Sequence, residues 1–170
     1  MVAAIELYFD NEADRRIRAL WEALETDDVP SLRNLTHRQH RPHLSMVVAD
    51  VLDPTAVAGA LDGLPPAPPI RLSFQYAGQF VGRVLWLGPS PTVELLAHQG
   101  AVWGRLTGAG IPLWDQYAPG AWVPHATLSM RVPAPLLTIA VRRCLEVLPI
   151  EATVTSAAVA DHARGLHHPL

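Results

Sequence analysis

RPHLSM, residues 41–46, and VPHATLSM, residues 123–130, are the two stretches that decide the reading of this chain. In each, Pro precedes a His, and a hydroxyl residue stands two positions after the His: His43 and Ser45 in the first, His125 and Thr127 in the second. Strand side chains alternate between faces. His43 and Ser45 therefore point one way while Leu44 and Met46 point the other. His125 and Thr127 share a face, and Ala126 and Leu128 turn to the core. Pro fixes its own backbone, biases the residue before it to extended geometry and donates no amide, so it suits the first residue of a strand or an edge.

The surroundings of the two stretches repeat as well. Residues 2–9, VAAIELYF, read as a strand, and Asp10 caps a helix over 11–25 whose Ile17, Leu20, Trp21 and Leu24 recur at helical spacing. A polar loop over 26–42 leads to the strand 43–49. Asp53-Pro54 opens a second helix, LPPAPP at 64–69 ends it, and 70–76 is a third strand. The order then recurs: strand 79–88, a helix opened by Ser90-Pro91, a Gly/Pro-rich loop over 107–124, strand 125–130, helix 134–148 and strand 151–160. The expectation is one α+β domain over 1–170, bilobal and duplicated about a pseudo-twofold axis, with lobes at roughly 1–76 and 77–160 and a loose tail at 161–170.

Composition narrows the function classes. Of 170 residues 49% are apolar, enough for a sizeable core. A net charge of −3 argues against a protein that coats long nucleic acid, while a small anionic ligand held by a few groups remains open. The single Cys144 excludes an internal disulfide framework and a thiolate-only metal site, and it reads as helix packing. No stretch approaches the ~18 apolar residues of a membrane span, and no leader pattern opens the chain, so a cytoplasmic protein is expected.

Successive same-face positions on a strand lie about 6.5–7 Å apart. An imidazole and a hydroxyl at that spacing can touch different oxygens of one phosphate. Two such strands across a groove would supply a complete acid/base pair. One neutral imidazole takes a proton from the attacking oxygen, and one protonated imidazole gives a proton to the leaving oxygen. Ser45 and Thr127 would donate to the non-bridging oxygens. No metal and no cofactor is called for.

With two copies of His-apolar-Ser/Thr-apolar, His43-Leu44-Ser45-Met46 and His125-Ala126-Thr127-Leu128, the chain resembles the two-histidine (2H) phosphoesterase superfamily. It is most similar to the 2′-5′ RNA ligase-like and cyclic phosphodiesterase branch. VLWLG at 84–88 also looks like the segment between that family's motifs, and the resemblance spans about residues 2–160. It implies a bilobal fold with both motifs in one cleft, and opening of 2′,3′-cyclic phosphates or reversible 2′-5′ joining of RNA ends. It gives His43 and His125 as acid and base, and Ser45 and Thr127 as phosphate-holding groups. Ser stands at 45 where the family more often has Thr, which keeps the hydroxyl. The acidic charge, with only Arg41 and Arg131 near the motifs, favours a nucleotide or short RNA end over long RNA. The expected form is a monomer. A non-catalytic module binding a nucleotide or RNA end, and a phosphodiesterase for a non-RNA cyclic metabolite, are the competing readings.

Other residues carry weaker signals. His37, His40 and His43 are spaced by three, but Arg38, Arg41 and Pro42 among them disfavour a helix and a cation. His37 or His40 could instead lean over the cleft. Tyr8, Phe80, Tyr117 and Trp122 are candidates to stack on a base, although packing is the commoner use of such rings. Trp21 and Trp103 sit on apolar helix faces and read as core. Arg131 could meet a terminal phosphate, and His167-His168 in the tail suggest nothing.

Overall fold

The computed structural model describes residues 2–35, 39–65 and 69–170. Strand β1 (Ala3–Phe9) is followed by helix α1 (Asn11–Thr26), which Asp10 caps by accepting from the amides of Glu12 and Ala13. Strand β2 (His43–Ala49) carries the first motif. Helix α2 (Pro54–Leu61) starts as its sequence predicts, with the Asp53 carboxylate accepting from Ala56 and Pro54 in the first turn. Then come β3 (Arg71–Phe80), β4 (Val84–Pro89), α3 (Val93–Gly108), β5 (Ala126–Ser129), α4 (Leu137–Val147), β6 (Ile150–Asp161) and β7 (Leu166–Pro169). The side chain capping α3 is Thr92, accepting from Leu95, so that helix begins slightly later than Ser90-Pro91 suggests.

The strands follow the path β2-β1-β6-β3-β4-β5, which is palindromic about the β6/β3 junction. β1 corresponds to β4, β2 to β5 and β6 to β3. The expected lobe boundary at residue 76 falls inside β3. β3 runs through it to Phe80 and turns directly into β4, with Gly82 and Arg83 at φ of 89° and 70° making the tight return. β3 thus pairs with β4 of the second half, and β6 runs its far end along β1 of the first half. Each half hands its last strand to the other. The helices follow the same exchange, since α1 packs on α4 and α2 on α3.

The tail is also corrected. Leu166–Pro169 form a strand antiparallel to β6, with Ala160 opposite His167. The Asp161 carboxylate accepts from the amides of Ala163 and Arg164, closing the turn between the two strands.

Ile5, Leu7 and Phe9 of β1 face the main core with Ile17, Leu20, Trp21 and Leu24 of α1. The opposite face of β1 carries Ala4, Glu6 and Tyr8. Although β2 and β5 end the strand path, they lie in contact with each other, so the sheet curls until its ends meet. The open edge of β2 is covered by the second half of the chain. The Trp114 amide donates to the Val48 carbonyl at 2.8 Å, the Gln99 side chain to Met46 at 3.2 Å and the Trp122 indole to Ser45 at 3.0 Å. These contacts satisfy carbonyls that an exposed edge would leave bare.

Candidate functional site

Both motif strands carry a β-bulge at the same place. Ser45 lies opposite Glu6 and Val47 opposite Ile5, leaving Met46 extra; Thr127 lies opposite Trp86 and Ser129 opposite Leu85, leaving Leu128 extra. A bulge bends its strand and sharpens the local twist. In this way each His-x-hydroxyl pair is turned toward the cleft while the bulged residue stays in the core. His43, Ser45, His125 and Thr127 line one cavity of about 620 Å³, a volume in the range of small-molecule sites.

The two rings are held alike. Nδ1 of His43 donates to the Arg41 carbonyl at 2.7 Å, and Nδ1 of His125 donates to the Val123 carbonyl, also at 2.7 Å. Each bond reaches back across the intervening Pro. A carbonyl only accepts, so Nδ1 bears the proton and Nε2 is the nitrogen left for chemistry.

Beyond that shared anchor the rings differ. Glu6 and Trp86 occupy pseudo-equivalent places, each opposite a motif hydroxyl residue. Beside His43 is therefore a carboxylate, with Glu6 Oε1 3.1 Å from Nε2. Beside His125 are rings, with Phe80 edge-on at 4.7 Å and Trp86 at 5.9 Å between centroids. Burial among them pushes His125 below the ordinary imidazole range, and the charge on His43 adds to that. A Cβ on Gly78 would run into the Trp86 ring, so the glycine is what lets this indole lie flat across β3.

Glu6 is 1% exposed. Burial alone would raise its pKa, but the nearby imidazoles of His43 and His162 and the Tyr8 hydroxyl hold it down at about 2. Tyr8 donates to Oε2 at 2.7 Å, and His162 places Nε2 2.9 Å from Oε1. Glu6, His43 and His162 offer three ligand atoms within 4.8 Å of one another, the group among the described residues that could hold a metal. Burial lowers the proton affinity of His162, but Glu6 and Asp161 reverse this and raise it.

Sequence reasoning did not single out Glu6 or His162. The signal for Glu6 was its place as the one charge in VAAIELYF, which alternation alone reads as a solvent-facing position. His162 could not be found from spacing, because it reaches the site only through the exchange of β6.

The stacking candidates divide. Tyr8 is buried under the Arg41 guanidinium, 4.0 Å from its centroid, and its hydroxyl is taken by Glu6. It is a packing and hydrogen-bonding residue and not a platform for a base. Trp122 borders the cavity, but it is buried and its indole N–H holds the Ser45 carbonyl. Tyr117 and Phe80 also line the cavity. His40 lines it and stacks on His162 at 5.3 Å; His37 lies outside the described residues. Arg131 is exposed and is not among the lining residues. Trp21 is fully buried, Trp103 packs against the core while partly exposed, and Cys144 is buried in α4.

The sequence matches the family model of the 2′-5′ RNA ligase superfamily over residues 9–166. No curated protein matches it. Among solved structures it resembles one described as a phosphoesterase, with 19% identity and a TM-score of 0.64 over 99% of this chain and 94% of that one. The apo form of E. coli LigT gives 18% identity and a TM-score of 0.61, with 99% and 94% covered. E. coli LigT complexed with 3′-AMP gives 19% and 0.60, with 99% and 93% covered. At such identities the likeness is one of fold.

Proposed function

The chain belongs to the 2′-5′ RNA ligase superfamily, and from that premise we propose that it is a metal-independent phosphodiesterase opening 2′,3′-cyclic phosphates of nucleotides or short RNA ends. The observation that carries this reading is the convergence of His43, Ser45, His125 and Thr127 on one cavity, with both rings oriented by the same carbonyl anchor. His125, kept neutral by its apolar surroundings, removes a proton from the attacking water. The new P–O bond forms as the bond to one ribose oxygen breaks, and His43 returns a proton to that oxygen. The Ser45 and Thr127 hydroxyls donate to the non-bridging oxygens, whose charge grows in the transition state.

Among the described residues no arginine lines the cavity, and the chain has no lysine. One phosphodiester monoanion suits such a site better than a polyphosphate or a long backbone. LigT structures holding 3′-AMP, ATP, NADP+ and phosphate support a nucleotide ligand. One chain supplies both motifs, which supports a monomer as the working unit. No helix among the described residues is long and apolar enough to cross a membrane.

The test is a substrate panel in EDTA: the four 2′,3′-cyclic nucleotides, a 2′-5′ dinucleotide and an ADP-ribose cyclic phosphate. Turnover of a cyclic nucleotide that survives EDTA and falls ~10²–10⁴-fold in His43→Ala and in His125→Ala is the expected result. Turnover abolished by EDTA would overturn the metal-free mechanism. Saturable binding of the whole panel with no turnover would replace the enzyme by a binding module.

A further inference from the structure

Glu6, His43 and His162 form a cluster that the phosphodiesterase chemistry does not use as a unit. They come from three places: Glu6 from the middle of β1, His43 from the first position of β2, and His162 from just past β6. Those strands are adjacent in one sheet, and the His162 amide is itself bound to the Val2 carbonyl at 3.1 Å. The three side chains are thus brought together by backbone pairing and not by a flexible loop. Two imidazole nitrogens and one carboxylate oxygen are a donor set for divalent zinc and its first-row neighbours.

The two distances to Glu6 agree with that use, and all three ligand atoms lie within 4.8 Å of one another. At bond lengths of about 2.0–2.2 Å, ligand atoms roughly 90–110° apart around an ion lie about 2.9–3.5 Å from each other. Glu6 Oε1 is 3.1 Å from Nε2 of His43 and 2.9 Å from Nε2 of His162. Yet this buried oxygen has no donor aligned with it as a hydrogen bond requires. Ligand atoms around an ion aim at the ion and not at one another, so close approach without alignment is the expected signature. The outer contacts also fit. His43 donates Nδ1–H to the Arg41 carbonyl, the usual device that fixes a metal-binding imidazole, and Tyr8 holds the second carboxylate oxygen. His40 stacks on the His162 ring and restrains it. Among the described residues no such set surrounds His125, whose pseudo-equivalent of Glu6 is Trp86.

We propose that Glu6, His43 and His162 bind one zinc-class divalent ion, which silences the site by occupying Nε2 of His43. His43 and His162 line the cavity and Glu6 lies behind them, so the open coordination positions face the substrate space. Coordination stands independently of the phosphodiesterase reading; only the silencing rests on it.

EDTA-stripped protein is titrated with Zn2+ by calorimetry and with Co2+ by visible absorption, whose d–d bands report coordination without any turnover. Wild type is expected to bind one ion. His162→Ala, checked for folding by a thermal melt because it takes a partner from the buried Glu6 carboxylate, should weaken binding by more than the ~10–100-fold typical of losing an outer partner, and Tyr8→Phe by about that amount. His168→Ala, exposed on β7, should bind as wild type does. Absence of one-to-one binding in wild type, unchanged affinity in His162→Ala, or loss in His168→Ala instead would each overturn the site. If the ion binds as described but no panel substrate is turned over, the phosphodiesterase reading fails and the metal site stands. If Zn2+ binds and turnover in wild type persists at saturation, silencing is refuted.

Discussion

Trp122→Phe separates two roles for one ring. The Trp122 indole donates to the Ser45 carbonyl at 3.0 Å, joining the loop before β5 to the first motif strand. Phe fills most of the same volume but has no N–H, so the Ser45 carbonyl loses its partner. An unpaired buried carbonyl costs about 1–3 kcal/mol, and this one is partly buried. Taking ~2 kcal/mol, and about 2–4 °C per kcal/mol for a chain of this length, Tm should fall by roughly 4–8 °C. Release of that carbonyl also loosens the hydroxyl of Ser45 against the phosphorus, where a displacement near 1 Å costs up to ~10²-fold in rate. A thermal melt and steady-state kinetics on a cyclic nucleotide measure both effects, and kcat should fall more than KM rises. An unchanged Tm with a raised KM and intact kcat would refute the clamp and restore Trp122 as a base-stacking platform.

Phe80→Ala admits water to His125, whose proton affinity is lowered chiefly by burial. The deprotonated base now persists below pH ~6.5, so the acidic limb of kcat/KM should lie lower than that and move upward in the variant; a pH–rate profile in which it moves down or stays would contradict the assignment. Asp10→Ala removes the α1 cap and the acceptor for the Thr153 amide, costing ~1 kcal/mol or more in denaturant melts. Burial would raise the Asp10 carboxyl, but the amides of Ala13, Thr153 and Glu12 outweigh it and depress it. Its stabilisation is therefore present above the unfolded value near pH 3.9 and lost as pH falls through the folded one, so the wild-type advantage should vanish in acid. Gly78→Ala drives a methyl into the Trp86 ring and should cost about 1–3 kcal/mol, read as a lower denaturation midpoint; a neutral result would mean the indole has room to move.

The order of strands and helices was legible because it depends on local periodicity and caps. The apolar face of α1, Asp10 before it and Asp53-Pro54 before α2 all act as their sequence suggests. The catalytic candidates were legible for a similar reason. His43 and Ser45, like His125 and Thr127, share a face through strand alternation, and their repetition exposed the doubling. β7 was missed because LHHP has little of the β-branched or aromatic content that marks a strand and is held by its pairing with β6.

From the chain alone came the two motifs, their shared side of the strand and the doubled α+β plan, since each depends on neighbours within a few residues. Tertiary structure chose which strands pair. The exchange of β3 and β6 carries His162 to Glu6, and facing strands set a carboxylate beside one motif histidine and an indole beside the other. Strand partners are selected by burial and backbone bonding across long separations, so two nearly identical motifs acquired different chemistry from what lies opposite them.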